Sequence, residues 1–225
     1  MEELVVRYGK EHKQATRQRI IETAGRRFKQ DGIDGSGVAT LMADAGLTNG
    51  AFYAHFESKE DLVATAIADQ LQNQDAAINT MPPGREGVEA FVREYLSIHH
   101  RDNPADGCPS AALLDEIARS SDATKQAYTD GMLAVINDAA LRLNPRDPAS
   151  VRTQALSVFA LMVGTMQLSR ALSDRALADQ VIEQGLQNAL SLLGVKQPKP
   201  ATASPRQAKP ANQSKPAKRA TPAKR

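Results

Sequence analysis

The sequence predicts an all-α protein of about nine helices, and three observations support this fold class. Apolar residues recur at the three- and four-residue spacing of amphipathic helices along most of residues 16–193. No segment in that range shows a convincing alternating pattern of a β-strand. Glycine and proline mark the places where one helical segment ends and another begins, as at Gly32 and residues 82–84.

The net charge of +2 conceals a strong segregation of charge along the chain. Residues 1–30 contain eight basic and four acidic side chains, and residues 196–225 contain nine basic side chains and no acidic one. Residues 61–195, in contrast, contain 10 basic and 17 acidic side chains. Positive charge therefore lies at the two ends, and we do not expect the whole surface to contact a polyanion.

Three features of the sequence indicate the cellular compartment of the protein. The single cysteine excludes an internal disulfide and suits a reducing environment. No apolar run approaches the roughly 20 residues of a membrane helix, and the N-terminus shows no apolar stretch typical of a signal peptide. We therefore expect a cytoplasmic protein with no membrane segment.

Residues 16–31 form the first strong helical segment. Thr16 is a plausible N-cap, because its hydroxyl can accept a hydrogen bond from an N–H of the first turn. Gly32 stands where a helix would end in a left-handed residue. One face of the segment is apolar and carries Ile20, Ile21, Ala24 and Phe28.

Two short helices joined by a tight turn follow at residues 37–56. Gly46 is the predicted turn residue, and Leu47 fills the angle between the helices. The first helix turns Val38, Leu41, Met42 and Ala45 inward, and the second, from Asn49 to roughly Phe56, buries Phe52 and Phe56. This leaves four polar side chains outside, namely Thr48, Asn49, Tyr53 and His55. The layout is typical of a recognition helix that enters the major groove of DNA.

The remaining chain reads as further helices. Ser58 and Asp61 resemble a capping box at the start of a helix that runs to about Asn79. A polar loop is expected at residues 101–107. The other predicted helices cover residues 86–100, 109–120, 122–143, 149–171 and 173–193.

The order of these segments resembles the TetR/AcrR family of bacterial transcriptional regulators. The resemblance is carried by AGRRFKQDG at residues 24–32 and ADAGLTNGAFYAHFESKEDL at residues 43–62, and its specific part covers about residues 16–65. Two positions depart from the family pattern, Ala39 where a basic residue is common and Met42 where alanine is usual. The resemblance implies a helix-turn-helix domain (16–62) followed by a ligand-binding and dimerisation domain (63–195). An N-terminal extension (1–15) and a basic tail (196–225), which is not a usual feature of the family, flank them.

The resemblance also implies roles for individual residues. Tyr53 and Lys59 match positions that contact phosphates, and Thr48, Asn49, Gly50 and His55 match positions at or near base edges. Together with Lys59, Arg17 and Arg19 would neutralise phosphates and set the affinity and its salt dependence. The alternative is a helical hairpin inside an ordinary bundle, but such a hairpin would not leave Tyr53 and His55 outward.

The family places a dimer interface of two helices per subunit in the C-terminal half, and residues 149–193 fit that description. A pocket for a small-molecule effector of unknown identity would then lie among the helices at residues 86–143 and the inner face of residues 149–171. The candidate lining residues, any of which can equally be plain core, are Phe91, Tyr95, Leu113, Ile117, Tyr128, Met132, Phe159 and Met166.

Cys108 precedes Pro109, which suits the first position of a helix, and would therefore be its N-cap. The positive helix end favours a thiolate, so one hypothesis is a redox-sensing or electrophile-sensing thiol. The alternative is a small, partly buried residue that fits the turn. The nearby His99, His100, Asp102 and Asp106 match no standard zinc spacing, and we predict neither a metal site nor a cofactor.

The tail at residues 196–225 is rich in Lys, Pro and Ala and lacks large apolar residues, so we expect it to be disordered. It is either a solubilising appendage or a sequence-independent grip on DNA. No catalytic motif occurs in the chain. We therefore expect no enzyme but a homodimeric repressor that binds double-stranded DNA at an inverted repeat and is released by its effector. The alternative is an architectural DNA-binding protein that relies on the tail.

Overall fold

The computed structural model describes the backbone of residues 2–195 and the side chains of residues 11–195. Within these residues the structure is entirely helical, as predicted, and its α-helices agree in number with the sequence prediction. They are α1 (Glu2–Asp31), α2 (Val38–Asp44), α3 (Lys59–Thr80), α4 (Arg85–Tyr95), α5 (Ile98–Asp102), α6 (Pro109–Arg119), α7 (Asp122–Leu143), α8 (Arg152–Ala171) and α9 (Arg175–Leu192). Short 3₁₀ helices cover Asn49–Ala54, Pro104–Asp106 and Pro148–Val151.

Helix α1 is longer than the sequence prediction. It begins at Glu2, so the prediction of Thr16 as the N-cap is wrong: Thr16 lies inside the helix and is buried. The physical reason is that residues 2–15 contain no proline and many good helix formers, so nothing ends the helix before residue 16. The buried apolar face is confirmed, with Ile20, Ala24 and Phe28 fully enclosed.

The segment after the turn is a 3₁₀ helix of six residues, Asn49–Ala54, rather than an α-helix that reaches Phe56. It is short because His55 ends it and Ser58 already caps α3. Its buried side is as predicted, since Phe52 and Phe56 are enclosed and their rings stack with centroids 5.7 Å apart. Met42 is also fully buried, so this departure from the family pattern lies in the core.

Helix α3 passes through both halves of the molecule. The Asp61 N–H donates to the Ser58 hydroxyl at 3.1 Å, which confirms the predicted start. Its first half belongs to an N-terminal core with α1, α2 and residues 49–54, whereas Ile78 near its end belongs to a C-terminal core with α4, α7, α8 and α9. The predicted domain boundary between residues 62 and 63 therefore falls inside one continuous helix.

The region before α6 differs most from the prediction. The expected helix at 86–100 is two helices, α4 and α5, because Leu96 leaves helical geometry and the Ser97 hydroxyl caps α5 by accepting from the His100 N–H. The expected polar loop at 101–107 contains the end of α5 and a 3₁₀ turn. The helices from α6 to α9 agree with the prediction within three residues at each end. None of the described helices is both long and apolar enough to cross a bilayer.

Candidate DNA-binding surface and effector cavity

The turn between α2 and the 49–54 helix is closed by main-chain hydrogen bonds. Gly46 has a φ of 70°, which a residue without Cβ adopts at little cost. Its N–H donates to the Ala43 carbonyl at 2.9 Å, and the Leu47 N–H donates to the Met42 carbonyl at 2.8 Å. Leu47 itself packs, half-buried, against the N-terminal core. The turn therefore sets the 49–54 helix at a defined angle to α2, as predicted.

The outward side of the 49–54 helix is polar, and we call Thr48, Asn49, Gly50 and Tyr53 the recognition surface. All four residues are exposed, and the Tyr53 side chain is 73% exposed with its ring packed edge-on against Phe52. The Thr48 hydroxyl makes no capping hydrogen bond to the helix. The surface therefore offers hydrogen-bonding groups that the described part of the chain does not use itself.

Gly50 has open space around it. A methyl group built at its Cα would meet no atom within 4 Å, and its φ is not positive. Nothing in the described structure therefore requires glycine at this position. A requirement for it would have to come from a partner that approaches the helix closely.

His55 does not lie fully outside, contrary to the sequence prediction. It ends the 49–54 helix and is half-buried, with its Nδ1 buried and without a hydrogen-bond partner among the described residues. Burial lowers its pKa, and the nearby cations of Lys13 and Arg17 lower it further. The imidazole is therefore neutral at pH 7, and only part of it is available to a base edge.

The basic residues of the predicted site have different environments. The Arg17 guanidinium lies over the Phe56 ring, 4.6 Å from its centroid, and Arg19 is exposed. The Lys59 ammonium donates to the Ile33 carbonyl at 2.6 Å, which leaves two N–H groups for another partner. Lys13, which sequence reasoning missed, is exposed on α1 close enough to His55 to affect its titration. Only the spatial fold reveals this proximity, because the two residues are far apart in sequence.

A cavity of about 550 Å³ lies between α1, α3, α4 and the segment from α5 to α6. This volume is in the range of small-molecule sites. Of the eight residues predicted to line a pocket, only Phe91 and Tyr95 lie on its wall. Phe159 lines a second, smaller cavity together with Phe91. Leu113, Ile117 and Met166 are buried in the two cores, and the partly buried Tyr128 and Met132 pack against these cores.

Two residues of α1 connect the helix-turn-helix region to the cavity wall. Arg26 forms an ion pair with Asp106, and the Lys29 ammonium donates to the Gly107 carbonyl at 2.7 Å. A third connection follows α1, where the Ile33 N–H donates to the Glu116 carboxylate at 2.7 Å. The sequence does not predict these contacts of Arg26 and Lys29, since their partners are about 80 residues away.

Cys108 is the N-cap of α6, with Pro109 in the first turn, as predicted. It lines the cavity but is only 6% exposed. Its main-chain N–H donates to Nε2 of His100 at 3.1 Å, and Nδ1 of His100 lies 2.7 Å from the Tyr95 carbonyl. His100 must then carry its proton on Nδ1, and burial lowers its pKa to about 4. His100 is therefore neutral: it links the Tyr95 carbonyl to the Cys108 N–H through its two ring nitrogens and supplies no positive charge to the thiol.

The positive groups near Cys108 come from other helices. Burial lowers the pKa of Lys29 to about 8, while the nearby Cys108 and Asp106 oppose this shift. Arg170 of α8 donates to the carbonyls of His100, Arg101 and Ala111, and burial lowers its pKa as well. The Arg101 side chain, in contrast, turns away from Cys108 and pairs with Asp102 and Asp179. Among the residues that the structure describes, no group of three or more potential ligands is placed to hold a metal ion.

Comparison with proteins of known sequence identifies the N-terminal region. Residues 20–66 match the family described as bacterial regulatory proteins, tetR family. The chain is 43% identical over 67 residues to the HTH-type transcriptional regulator TtgR of Pseudomonas putida, a match that covers 30% of this chain and 31% of TtgR. The chain thus spans about a third of the length of this curated relative.

Solved structures extend the likeness to the C-terminal helices. The reduced form of E. coli NemR aligns with a TM-score of 0.67 at 20% identity, over 79% of this chain and 96% of NemR. A TetR-family transcriptional regulator from Cytophaga hutchinsonii aligns with a TM-score of 0.63 at 23% identity, over 81% of this chain and 95% of that one. Residues 20–66 therefore carry the helix-turn-helix sequence of the tetR family, and the described helices share the fold of a solved TetR-family regulator.

Proposed function

We propose that this protein is a sequence-specific DNA-binding transcriptional regulator that acts as a homodimeric repressor and is released by a small-molecule effector. The observation that carries the proposal is the recognition surface, a set of exposed polar residues on a short helix next to the basic α1. In a helix-turn-helix protein such a surface contacts base edges, while neighbouring cations neutralise phosphates. The family match covers this region.

The exposed leucines of α8 and α9 support the homodimer. Four of the most exposed large apolar side chains in the described structure lie on these helices: Leu156, Leu168, Leu177 and Leu192. Apolar side chains gathered on neighbouring helices are typical of an interface between subunits. Two recognition surfaces related by a two-fold axis would then read an inverted repeat with half-sites roughly 34–36 Å apart.

The tethers between α1 and the cavity wall support release by an effector. A ligand changes DNA affinity only if it binds one arrangement of the two heads better than the other. A molecule in the cavity touches Lys29 and Asp106, which hold α1 to the 104–107 segment. Displacement of this segment would therefore be transmitted directly to the helix that carries the DNA-binding region.

The Cys108 thiol provides a second candidate for the signal. It lines the cavity and lies near Lys29 and Arg170. Reactive cysteines in proteins are found in such electropositive surroundings. Its burial restricts access to molecules that enter the cavity.

The basic tail falls outside the described residues, and its role as a DNA grip stays a prediction. The architectural alternative is not favoured, because the chain resembles proteins named as transcriptional regulators.

The experiment that tests the proposal is binding of the full chain to a genomic fragment library at moderate salt, followed by sequencing of the bound DNA. Recovery of a shared inverted repeat would support a dimeric, sequence-specific regulator. Even enrichment of all fragments would contradict it and favour the architectural alternative.

A further inference from the structure

Lys29 on the cavity wall and Arg170 behind it bring two positive charges to one end of the cavity. Lys29 makes one hydrogen bond, to the Gly107 carbonyl, and Arg170 behind it donates only to main-chain carbonyls. Among the described residues, neither cation forms an ion pair, since the neighbouring Asp106 is paired with Arg26. A lysine ammonium carries three donors, so two N–H groups of Lys29 remain for a ligand.

Tyr95 adds an unsatisfied donor at the same end. Its side chain is only 4% exposed, it lines the cavity, and its hydroxyl has no hydrogen-bond partner among the described residues. Burial raises the pKa of Tyr95 well above its ordinary value, and both the charge of the adjacent Cys108 and a side-chain contact with its thiol add to this effect. The group is therefore a protonated O–H whose neighbour is a weakly accepting sulfur, and a carboxylate oxygen would be a much stronger acceptor. Lys29 and Tyr95 line the same cavity, and Cys108, on the same wall, affects the pKa of both.

The rest of the cavity wall carries buried amide groups and apolar side chains. Gln74 has both amide atoms buried without a partner in the described structure, and the carbonyl oxygen of Gln70 is in the same situation. Phe91, Met81 and Ala77 supply apolar wall. Among the acidic lining residues, Asp106 acts on Lys29 but is paired with Arg26. Glu22 and Glu94 are exposed, and Asp69 accepts from Gln18 and Asn73.

We propose that the effector is an organic carboxylate whose oxygens accept hydrogen bonds from the Lys29 ammonium and the Tyr95 hydroxyl. Its uncharged remainder lies against Phe91 and carries polar groups that satisfy Gln70 and Gln74. This inference rests on the proposed function and names the chemical class of its effector. The negative charge of the carboxylate pulls the Lys29 ammonium toward the cavity and away from the Gly107 carbonyl, which loosens the tether between α1 and the 104–107 segment.

The first test compares carboxylates with their neutral amides by calorimetry, using the full chain without DNA. The probes are 4-hydroxybenzoate and 4-hydroxycinnamate, each paired with its carboxamide. We expect each carboxylate to bind at least about 10-fold tighter than its amide, because a hydrogen bond to a charged group is worth this much. In Lys29→Met the ratio of carboxylate to amide affinity should fall to about one. Tyr95→Phe should weaken carboxylate binding by about 10-fold. Lys125→Met, at an exposed site, is the matched control and should leave both affinities unchanged.

The second test measures proton uptake, which a merely structural lysine would not show. The pKa of Lys29 is about 8, so at pH 8 an anion that raises it should take up about half a proton. The charges of Asp106 and Cys108 favour the protonated Lys29 ammonium, and those of Arg26 and Arg170 disfavour it. Proton uptake is therefore assigned to Lys29 only if Lys29→Met abolishes it. Titration in two buffers of different ionisation enthalpy gives the number of protons. Above pH 8 carboxylate affinity should fall as Lys29 loses its proton.

The inference is overturned if no probe binds, if amides bind as well as carboxylates, or if Lys29→Met keeps the preference. The melting temperature of each variant, measured by circular dichroism, shows whether it is folded. DNA binding is measured separately on the same samples. Normal operator binding with no carboxylate preference removes only this inference, whereas carboxylate binding without sequence-specific DNA binding removes the proposed function.

Discussion

Replacement of Gly50 by alanine should separate DNA binding from stability. A Cβ at this position meets nothing within 4 Å and the backbone needs no positive φ, so the folded protein accommodates it without strain. Alanine also restricts the unfolded chain and favours helical geometry. The free energy of unfolding should therefore stay unchanged or rise by up to about 1 kcal/mol.

The same substitution should weaken DNA binding. Gly50 lies on the exposed side of the 49–54 helix between Asn49 and Tyr53, where the duplex would pack against the main chain. A methyl group there would displace the helix from the groove and weaken contacts worth about 1–3 kcal/mol, which corresponds to a loss of about 5- to 150-fold in affinity. Stability and affinity should thus move in opposite directions.

The assay combines urea unfolding with fluorescence anisotropy on operator DNA at fixed salt. The control is Ala76→Gly at an exposed site of α3, which should lower stability by about 1 kcal/mol and leave DNA affinity unchanged. Unchanged affinity of Gly50→Ala for the operator would refute the close approach of DNA to this helix. A large loss of stability would refute the open space seen around Gly50.

Four further predictions concern the other parts of the account. His55→Ala should relax sequence specificity more than it weakens nonspecific binding, and an equal loss on all sequences in competition assays would exclude a base contact. Leu168→Glu should shift the chain toward monomer in sedimentation equilibrium, because it places a charge on the exposed apolar face of α8; an unchanged dimer would place the interface elsewhere. Cys108→Ser should abolish the release of DNA by peroxide or quinones, and a wild-type response would exclude the thiol hypothesis. Deletion of residues 196–225 should lower the salt dependence of DNA binding and keep operator preference, and an unchanged slope would exclude the grip.

The sequence predicts a helix boundary correctly where residues next to that boundary determine it. Ser58 caps α3 and Gly46 forms the turn because the chemistry that determines these positions lies within a few residues. The start of α1 was missed for the opposite reason. Thr16 has the side chain of an N-cap, but the preceding residues are themselves competent to form helix, so the capping preference is overridden.

The cavity was the least predictable feature. Leu113 and Ile117 are expected on the pocket wall from the resemblance, but α6 turns them toward the N-terminal core, which only the packing of α1 and α3 reveals. Lys29 looks like a solvent-exposed cation in the sequence. Its burial and its bond to Gly107 arise from a contact between residues 78 positions apart. Pattern analysis identifies the buried face of a helix, but it does not say which other helix covers that face.

The central claim is that the recognition surface reads sequence rather than only phosphate charge. The most direct test is the ratio of affinities of the full chain for the recovered inverted repeat and for a shuffled duplex of equal length, measured at one salt concentration. A specific regulator should show a ratio of about 10³ or more, which Asn49→Ala should reduce by about 5- to 150-fold. A ratio near one in the unaltered protein would contradict the account, since binding would then depend on charge alone.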